Sequence, residues 1–298
     1  MSLKAVDLFC GCGGLSAGMI QSGINVVAAY DNWEPALNTY RRNIGDHADT
    51  LDITDVRQVA DSIASTKADL VAGGPPCQDF STAGKRIEAG RANLTLAFGR
   101  VIEACDAPYF LMENVPQVRL SETYGTMKAR LVAAGYDVVE IVLDASLCGV
   151  PQSRKRFFAF GSKAGRASRF IKSLNERLAS EKMTVKAYFG SDIDIQHYYR
   201  HPRNYSRRSV FSVHEPSPTV RGVNRPVPKA YKGNHLDSVD PQTVRPLTTV
   251  ERSRVQTFPK SWDWNCSDRN ADAEMQIGNA VPVSLASFVG RGVRDAVR

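Results

Sequence analysis

The sequence predicts an α/β protein with a doubly wound, mostly parallel sheet, and three observations support this fold class. Apolar runs typical of buried strands alternate with helical stretches over the first half of the chain. A glycine-rich turn at residues 11–14 follows the first run. Polar or reactive residues directly follow other runs, at the strand ends where open sheets of this class bind ligands.

Two strand–helix units open the chain. Residues 4–9 predict a strand and residues 15–22 a helix, which Gly23 closes at its carboxyl end. Residues 24–30 predict the second strand, and residues 34–42 predict the second helix. Alternation of this kind favours a parallel sheet with helices on its faces.

Three further elements continue the pattern. The apolar run at residues 69–72 predicts a strand that ends at Gly73. Residues 94–105 predict a helix, and residues 109–113 predict the next strand.

Two later segments complete the predicted core. Residues 138–143 and 157–160 predict a hairpin. The last helix is predicted from apolar residues that share one face, namely Val281, Leu285, Phe288, Val289 and Val293.

The composition of the chain changes after about residue 162. Between residues 200 and 232 there are eight Lys and Arg and one acidic residue, Glu215, with weak periodicity. We therefore predict an α/β domain at residues 1–162. A small, loop-rich domain follows at residues 163–242, and residues 243–298 return to complete the first domain.

Composition restricts the class of protein. A net charge of +7 and a pI of about 9.1 permit a polyanionic partner. The six cysteines show no disulfide-like framework, and the Cys10–Cys12 pair lacks the further ligands of a zinc site, so no metal is expected. No apolar run reaches the ~18 residues that a membrane span needs, and no signal-peptide pattern opens the chain, so we expect a cytoplasmic monomer without membrane contact.

A lone cysteine stands on a stiff loop directly after a predicted strand, in Gly-Gly-Pro-Pro-Cys-Gln at residues 73–78. Proline fixes φ on the approach to Cys77, so the sulfur would be presented in one geometry. A buried structural thiol is the alternative for any single cysteine. The position at the end of a parallel strand favours a reactive group.

The glycine-rich turn and two aspartates predict a ligand site at the same edge of the sheet. Gly11, Gly13 and Gly14 let a ligand approach the backbone, and the helix that follows offers free N–H groups. Asp31 ends the second strand, where a carboxylate can accept ribose hydrogen bonds, and Asp52 follows further on. The turn matches G-x-G-x-x-G poorly and lacks a following Gly-Lys-Ser/Thr, which disfavours nicotinamide and P-loop sites.

A series of segments resembles the motifs of the DNA (cytosine-5)-methyltransferases in the order that this family has them. The matching segments are residues 7–18, Asp31, residues 51–54, the loop at 73–78, Glu-Asn-Val at 113–115, Pro-Gln-Ser-Arg-Lys-Arg at 151–156, and residues 245–259 and 276–283. Asp31 stands where the family usually has glutamate, and Val250 where it usually has arginine. Residues 163–242 lie outside the resemblance.

The resemblance implies S-adenosylmethionine as the methyl donor and S-adenosylhomocysteine as a product. Phe9 would pack on the adenine side, Asp31 would bind the ribose, and Asp52 would meet the adenine amino group with Ile53 against the ring. The residues expected at the cofactor are Phe9, Gly11, Gly13, Gly14, Asp31, Asp52, Ile53, Leu94, Asn279 and Val281.

The resemblance also implies a reaction. The Cys77 thiolate would add to C6 of a cytosine flipped out of double-stranded DNA, and Glu113 would hold a proton at N3. The Pro76 carbonyl would accept from the exocyclic amine. Arg154 and Arg156, two residues apart at a strand entry, would share a face near the sulfur and bind the cytosine O2. Partial burial is expected to raise the pKa of Glu113.

Two segments are predicted to contact DNA. The loop from Gln78 to about Arg91 would close over the DNA backbone. Residues 200–232, the basic segment, would recognise the target sequence, with Thr219-Val220 resembling a doublet of such domains. The residues expected at DNA are Gln78, Ser81, Lys85, Arg86, Thr219, Arg221 and Arg225. A solvated, charged loop is the alternative for the basic segment.

Three other functions remain open at this point. A related methyltransferase of tRNA would carry a Cys-Phe-Thr motif in its recognition region, and the sequence has none. A catalytically silent DNA-binding protein would not need Cys77, Glu113, Arg154 and Arg156 intact. A nicotinamide oxidoreductase is the third alternative, and methyl transfer to DNA would separate it from the others.

Overall fold

The computed structural model describes residues 2–76, 88–204, 206–265 and 270–298. The strands are, in chain order, β1 (Lys4–Leu8), β2 (Asn25–Asp31), β3 (Ala48–Thr50), β4 (Leu70–Gly73), β5 (Tyr109–Asn114), β6 (Asp137–Asp144), β7 (Gln152–Ser153), β8 (Lys155–Ser162), β9 (His197–Tyr199), β10 (Val210–Ser212) and β11 (Ser217–Pro218). The helices are α1 (Gly14–Gln21), α2 (Glu34–Asn43), α3 (Val56–Thr66), α4 (Glu88–Cys105), α5 (Glu122–Ala133), α6 (Ala167–Asn175), α7 (Val185–Phe189), α8 (Thr249–Val255), α9 (Asn270–Asn279) and α10 (Val283–Val297).

The central sheet has seven strands in the order β3-β2-β1-β4-β5-β8-β6. The strands from β3 to β5 pair in parallel, and β8 runs antiparallel to both of its neighbours. The chain moves outward from β1 in one direction and from β4 in the other, so a crevice opens between the carboxyl ends of these two strands. The predicted fold class, including the hairpin of β6 and β8, is confirmed.

Several elements were not predicted from the sequence. β3 has three residues, and two of them are exposed, so it has little apolar signal. α3 and α5 carry detectable N-caps, because the side chains of Asp55 and Ser121 accept hydrogen bonds from backbone N–H groups in the first turn. α4 begins six residues before the predicted residue 94, at Glu88.

The core extends over both faces of the sheet. The predicted apolar face of the last helix is buried throughout, although Val281 precedes the helix itself. α1 and α10 are in close contact, since a Cβ on Gly18 would lie 2.3 Å from the Cβ of Ala286. This contact explains why α1 has small residues facing α10.

The chain after residue 162 divides between two cores. Phe170 and Leu174 of α6 pack into the same core as Leu285 and Phe288 of α10. A separate apolar cluster is formed by residues that follow α6 in the sequence, and it joins the basic segment to α8 and α9. It includes Phe189, Tyr198, Phe211, Val220, Val255 and Ile277. The domain limits at residues 163 and 242 stay predictions.

No helix in the described part of the chain combines the length and the apolar character that crossing a membrane would require.

Candidate active site at the carboxyl edge of the sheet

The predicted ligand-binding residues gather at one edge of the sheet. Phe9 directly follows β1, Asp31 ends β2, Gly74 follows β4 and Glu113 is the penultimate residue of β5. Because these four strands are neighbours and parallel, their carboxyl ends form one continuous rim on both sides of the β1/β4 crevice.

The turn after β1 has an unusual backbone. Phe9, Gly11 and Gly13 have φ values of 59°, 53° and 94°, in the left-handed region. Glycine adopts this region freely, whereas for Phe9 it costs about 1–2 kcal/mol. Strain of this kind persists where the surrounding structure fixes the backbone, and it is concentrated at ligand sites.

Asp31 fastens this turn. One carboxylate oxygen accepts a hydrogen bond from the Gly11 N–H at 2.8 Å, and the other accepts from the Trp33 N–H at 2.9 Å. The aspartate therefore reaches the turn despite being one methylene shorter than glutamate. Each oxygen keeps a further lone pair for a ligand.

The glycines of the turn differ in their surroundings. A Cβ on Gly14 would lie 2.3 Å from the Val281 carbonyl oxygen, and one on Gly13 would lie 2.3 Å from Ile44, while Gly11 has no atom of the described residues within 4 Å of a Cβ position. The segment before α10 thus packs beside the first turn. Asn279 is exposed at the end of α9.

The remaining predicted cofactor residues lie after β3 and on α4. Asp52 is exposed, and its Oδ1 accepts from the N–H and the hydroxyl of Thr54, which lowers its pKa. Ile53 is buried in the core at the end of this segment, and Leu94 is half-buried on α4.

The loop that leads to Cys77 is held by β5. The Asn114 side-chain amide donates to the Pro75 carbonyl at 2.8 Å, and its oxygen accepts from the Val115 N–H at 2.8 Å. Asn114 was not predicted as a site residue, although it belongs to the Glu-Asn-Val motif. Pro76 is exposed.

Glu113 lies against the start of the same loop. A Cβ on Gly74 would be 3.1 Å from Glu113 Oε2, so the carboxylate lies beside the residue that is three positions before Cys77 in the sequence. Its other oxygen, Oε1, is 2.9 Å from Arg156 Nε, and the two side chains are 11% and 15% exposed. The pair is therefore largely removed from water.

Burial outweighs charge pairing in this ion pair. It raises the pKa of Glu113, and the positive charges of Arg156 and Arg154 offset only part of the change. It also lowers the pKa of Arg156, with Glu113 opposing that shift. The raised pKa expected from the sequence is confirmed, and Glu113 holds a proton more readily than a free glutamate.

Arg154 makes different contacts from Arg156. It lies between β7 and β8, is almost fully buried, and donates to the carbonyls of Val220 at 3.2 Å, Gly278 at 3.1 Å and Ala280 at 3.2 Å. Burial lowers its pKa well below the ordinary value. The guanidinium thus joins the hairpin, the basic segment and the end of α9.

A buried polar chain beneath the glycine turn was not predicted. Tyr40 donates to the Ser16 hydroxyl at 3.0 Å, and Ser16 donates to Asp7 Oδ2 at 2.6 Å, while His47 Nε2 lies 3.0 Å from the Tyr40 hydroxyl. Burial raises the pKa of Asp7 to about 7. In the sequence, only the position of Asp7 within the apolar first strand pointed to a buried polar group here.

The basic segment forms a cluster of arginines. The pKa of Arg221 is lowered by partial burial and then by the like charges of Arg203 and Arg225. The Arg221 guanidinium donates to the His201 carbonyl, and the Thr219 hydroxyl donates to the Ser153 carbonyl at 2.9 Å. Arg225 is exposed. Such crowding of cations favours an anionic partner.

Val250, which stands where the family usually has arginine, is exposed on α8 and carries no charge. The ion pairs at α8 are formed by other residues, namely Arg245 with Glu251, Arg252 with Glu274, and Arg254 with Asp192.

Several predicted residues lie outside the part of the chain that the structure describes. They are Cys77, Gln78, Ser81, Lys85 and Arg86. Within the described ranges, no group of three or more His, Cys, Asp and Glu side chains could hold a metal ion.

Sequence comparison finds one family across almost the whole chain. Residues 3–294 match the family model of the C-5 cytosine-specific DNA methylases. The chain is 47% identical over 293 residues to the Type II methyltransferase M.HgiDI of Herpetosiphon aurantiacus, covering 98% of this chain and 94% of that protein. It is 46% identical over 294 residues to the Type II methyltransferase M.HindV of Haemophilus influenzae, covering 98% and 96%.

Solved structures share the fold at low sequence identity. The Entamoeba histolytica methyltransferase EhMeth matches with a TM-score of 0.72 at 17% identity, over 100% of this chain and 99% of that one. The S. pombe Dnmt2 methyltransferase matches with a TM-score of 0.70 at 18% identity, over 96% of each chain.

Proposed function

The chain belongs to the C-5 cytosine-specific DNA methylase family and is a DNA (cytosine-5)-methyltransferase, and from that premise we propose its detailed reaction. The enzyme transfers a methyl group from S-adenosylmethionine to C5 of a cytosine flipped out of a short, specific duplex sequence. The observation that carries this proposal is the buried Glu113–Arg156 pair against Gly74, at the start of the loop that leads to Cys77. Its Type II relatives support a role in a restriction–modification system.

The residues around the first turn fit the cofactor. S-adenosylmethionine, when bound, supplies the methyl group as an electrophile. Gly11 leaves open space beside a backbone that Asp31 holds in place, while contacts at Gly13 and Gly14 close the back of the turn. The second oxygen of Asp52 has no partner among the described residues, so it is free to accept from an adenine amino group.

The first chemical step uses the Cys77 thiolate. Its electron pair forms a bond to C6 of the cytosine. The pair of the C5–C6 double bond then forms a C4–C5 double bond, and the pair of the C4–N3 double bond moves to N3. Glu113, whose pKa is raised by burial, supplies a proton at N3, so the ring does not accumulate a full negative charge. The resulting enamine makes C5 nucleophilic.

The surrounding groups orient the base. Arg156 holds Glu113 and would bind the cytosine O2, and the carbonyl of the exposed Pro76 would accept from the exocyclic amine. Arg154 donates to three backbone carbonyls and so links the hairpin to the basic segment and to the end of α9. After C5 is methylated, Glu113 takes back the proton from N3. The C5 proton is lost to solvent as its electron pair re-forms the C5–C6 double bond, and the pair of the carbon–sulfur bond leaves with Cys77 as the thiolate.

A duplex hides C6 from any side chain, so the base must leave the stack at a cost of a few kcal/mol. We assign DNA binding during base extrusion to two parts of the chain, residues 78–91 and the arginines of the basic segment. Arg221 and Arg225 supply phosphate or guanine contacts, for which guanidinium groups are well suited.

Methyl transfer from tritiated S-adenosylmethionine to duplex DNA tests the proposal directly. We expect Cys77→Ala to lower the rate by at least about a thousandfold while DNA binding persists, because the nucleophile alone is removed. Cys105→Ala is the matched control, since this half-buried thiol ends α4, and it should keep wild-type rates. Undiminished transfer by Cys77→Ala, or transfer by the wild type to tRNA in preference to DNA, would refute the proposal.

A further inference from the structure

A buried ion pair lies beneath the basic segment, outside the catalytic rim. Arg252 of α8 and Glu274 of α9 are bonded to each other, and their side chains are 8% and 9% exposed. Both belong to the part of the chain that returns after the basic segment. Their position places two full charges where little of either side chain is in contact with water.

The arginine of this pair also holds the backbone of the basic segment. Arg252 Nη2 donates to the carbonyl of Arg221 and, at 3.4 Å, to the carbonyl of Val223. These two carbonyls flank Gly222. The guanidinium therefore holds two peptide units, the one that precedes Gly222 and the one that follows Val223.

The glutamate holds the next residue. Glu274 Oε1 accepts from the Asn224 amide at 3.3 Å and from the Thr249 hydroxyl at 2.8 Å. The same Asn224 amide donates to the Leu247 carbonyl at 2.9 Å. Residues 221–224 are thus tied at three successive points to α8, to α9 and to the segment before α8.

Close backbone packing against α9 further restricts the position of this segment. A Cβ on Gly278 of α9 would lie 2.1 Å from the Gly222 nitrogen, and one on Gly222 would lie 3.2 Å from Met275 Cα. The segment therefore crosses α9 at backbone contact distance. Its height above the helix is fixed by contact, and its lateral position by the ion pair.

Stability alone does not account for such a pair. Removing two charges from water costs about as much as their attraction returns, and apolar replacements of similar volume are often neutral or stabilising. An apolar pair could not bind the carbonyls of Arg221 and Val223 or the amide of Asn224. What the charges add here is a defined backbone position.

We propose that Arg252 and Glu274 are positioning residues that set target specificity, by fixing residues 221–224 so that Arg221 and Arg225 meet the DNA in one register. This rests on the proposed function, in which the basic segment reads DNA. The pair does not touch Glu113 or Arg156, so turnover on a correctly seated substrate does not depend on it.

The experiment measures sequence discrimination and kinetics together. Plasmid DNA is methylated by each purified variant and read by bisulfite sequencing, which gives the ratio of methylation at the preferred sequence to that at sites differing by one base pair. We expect Arg252→Met and Glu274→Gln to lower this ratio about tenfold, the discrimination that one well-placed base contact gives. The KM for DNA should rise, with kcat and the KM for S-adenosylmethionine unchanged.

Two further variants separate positioning from folding. Arg252→Lys keeps the charge and one donor direction, so it should recover part of the discrimination. Arg254→Met is the matched control, because Arg254 lies on the same helix and pairs with Asp192 without bonding to residues 221–224. It should leave the ratio unchanged even if the midpoint of thermal unfolding falls.

The outcomes distinguish this inference from the proposed function. If the wild type methylates DNA specifically and both pair variants keep its discrimination ratio, the inference is wrong. A loss of kcat alone, or equal loss of discrimination in Arg254→Met, would also overturn it. Absence of any methyl transfer to DNA by the wild type would instead overturn the proposed function.

Discussion

The rim of the sheet and the basic segment place their charged groups by different physical means. At the rim, parallel strands bring Asp31, Gly74 and Glu113 together through the regular spacing of the sheet itself. In the basic segment, backbone groups of residues 219–224 are bound by side chains from elsewhere, among them Arg154 and Arg252. The first region builds its geometry from secondary structure, and the second takes it from tertiary contacts.

This difference has an energetic consequence. Glu113 and Arg156 at the rim are buried and paired, so the loss of one leaves the other desolvated without a partner. The arginines that face outward in the basic segment repel one another and are partly solvated, so each contributes a small share. Single substitutions should therefore have large effects at the rim and modest effects in the segment.

Among the residues that the structure describes, the largest effect is expected for Glu113→Gln. The amide can still donate towards N3 but cannot deliver a proton, so kcat should fall by about 10²–10³. In the wild type the raised pKa of Glu113 sets the alkaline limit of activity, because the rate falls as the acid ionises. Single-turnover rates across a pH series should show this limb in the wild type and lack it in the variant. A variant with the wild-type rate would contradict the rim as the site of proton transfer.

Asp7→Asn tests the buried acid beneath the turn. The folded-state pKa of about 7 is above the ordinary 3.8, so the folded protein binds the extra proton between these values. The stability that this raised pKa provides is present in full below about pH 4. It is lost as the pH rises to about 7, so the free energy of unfolding declines by up to about 4 kcal/mol. Urea unfolding at several pH values should show a flatter dependence for the variant. Parallel curves for the two proteins would count against a protonated Asp7.

Gly14→Ala and Gly11→Ala form a matched pair within the turn. The Cβ at Gly14 would collide with the backbone carbonyl of Val281, and the free energy of unfolding should fall by about 3 kcal/mol. At Gly11 the space is open and only the positive φ is unfavourable, which costs about 1 kcal/mol. Denaturant titrations of both variants measure the contrast. Equal losses would show that backbone conformation, not packing against Val281, is the decisive constraint.

The smallest effect is expected in the basic segment. Arg225→Ala should weaken DNA binding by about three- to tenfold and reduce the slope of log affinity against log salt by about one. The exposed Arg169 of α6, which lies outside the arginine cluster, is the control and should change neither value after substitution by alanine. Fluorescence anisotropy at 50–200 mM salt would measure both quantities. A loss as large as that of a rim variant would remove the distinction between the two regions.

Much of the rim could be predicted from the sequence because its signals are local. Asp31, Glu113 and the glycine turn each follow an apolar run, and strand ends in an open sheet converge whatever the rest of the chain does. The short β3 and the helices α3 and α5 were missed because brief or partly exposed elements carry weak periodicity.

The sequence by itself determined the fold class, which residues follow the ends of the strands, and the chemical types present at the rim. Only the tertiary structure decided how the arginines are used. Arg154 and Arg156, alike in sequence, bind three carbonyls and a carboxylate respectively, and Arg252 joins Glu274 beneath residues far away in the chain. The physical reason is that strand periodicity is written in neighbouring residues, whereas the partner of a buried guanidinium depends on which distant backbone groups lack a hydrogen bond once the core has packed.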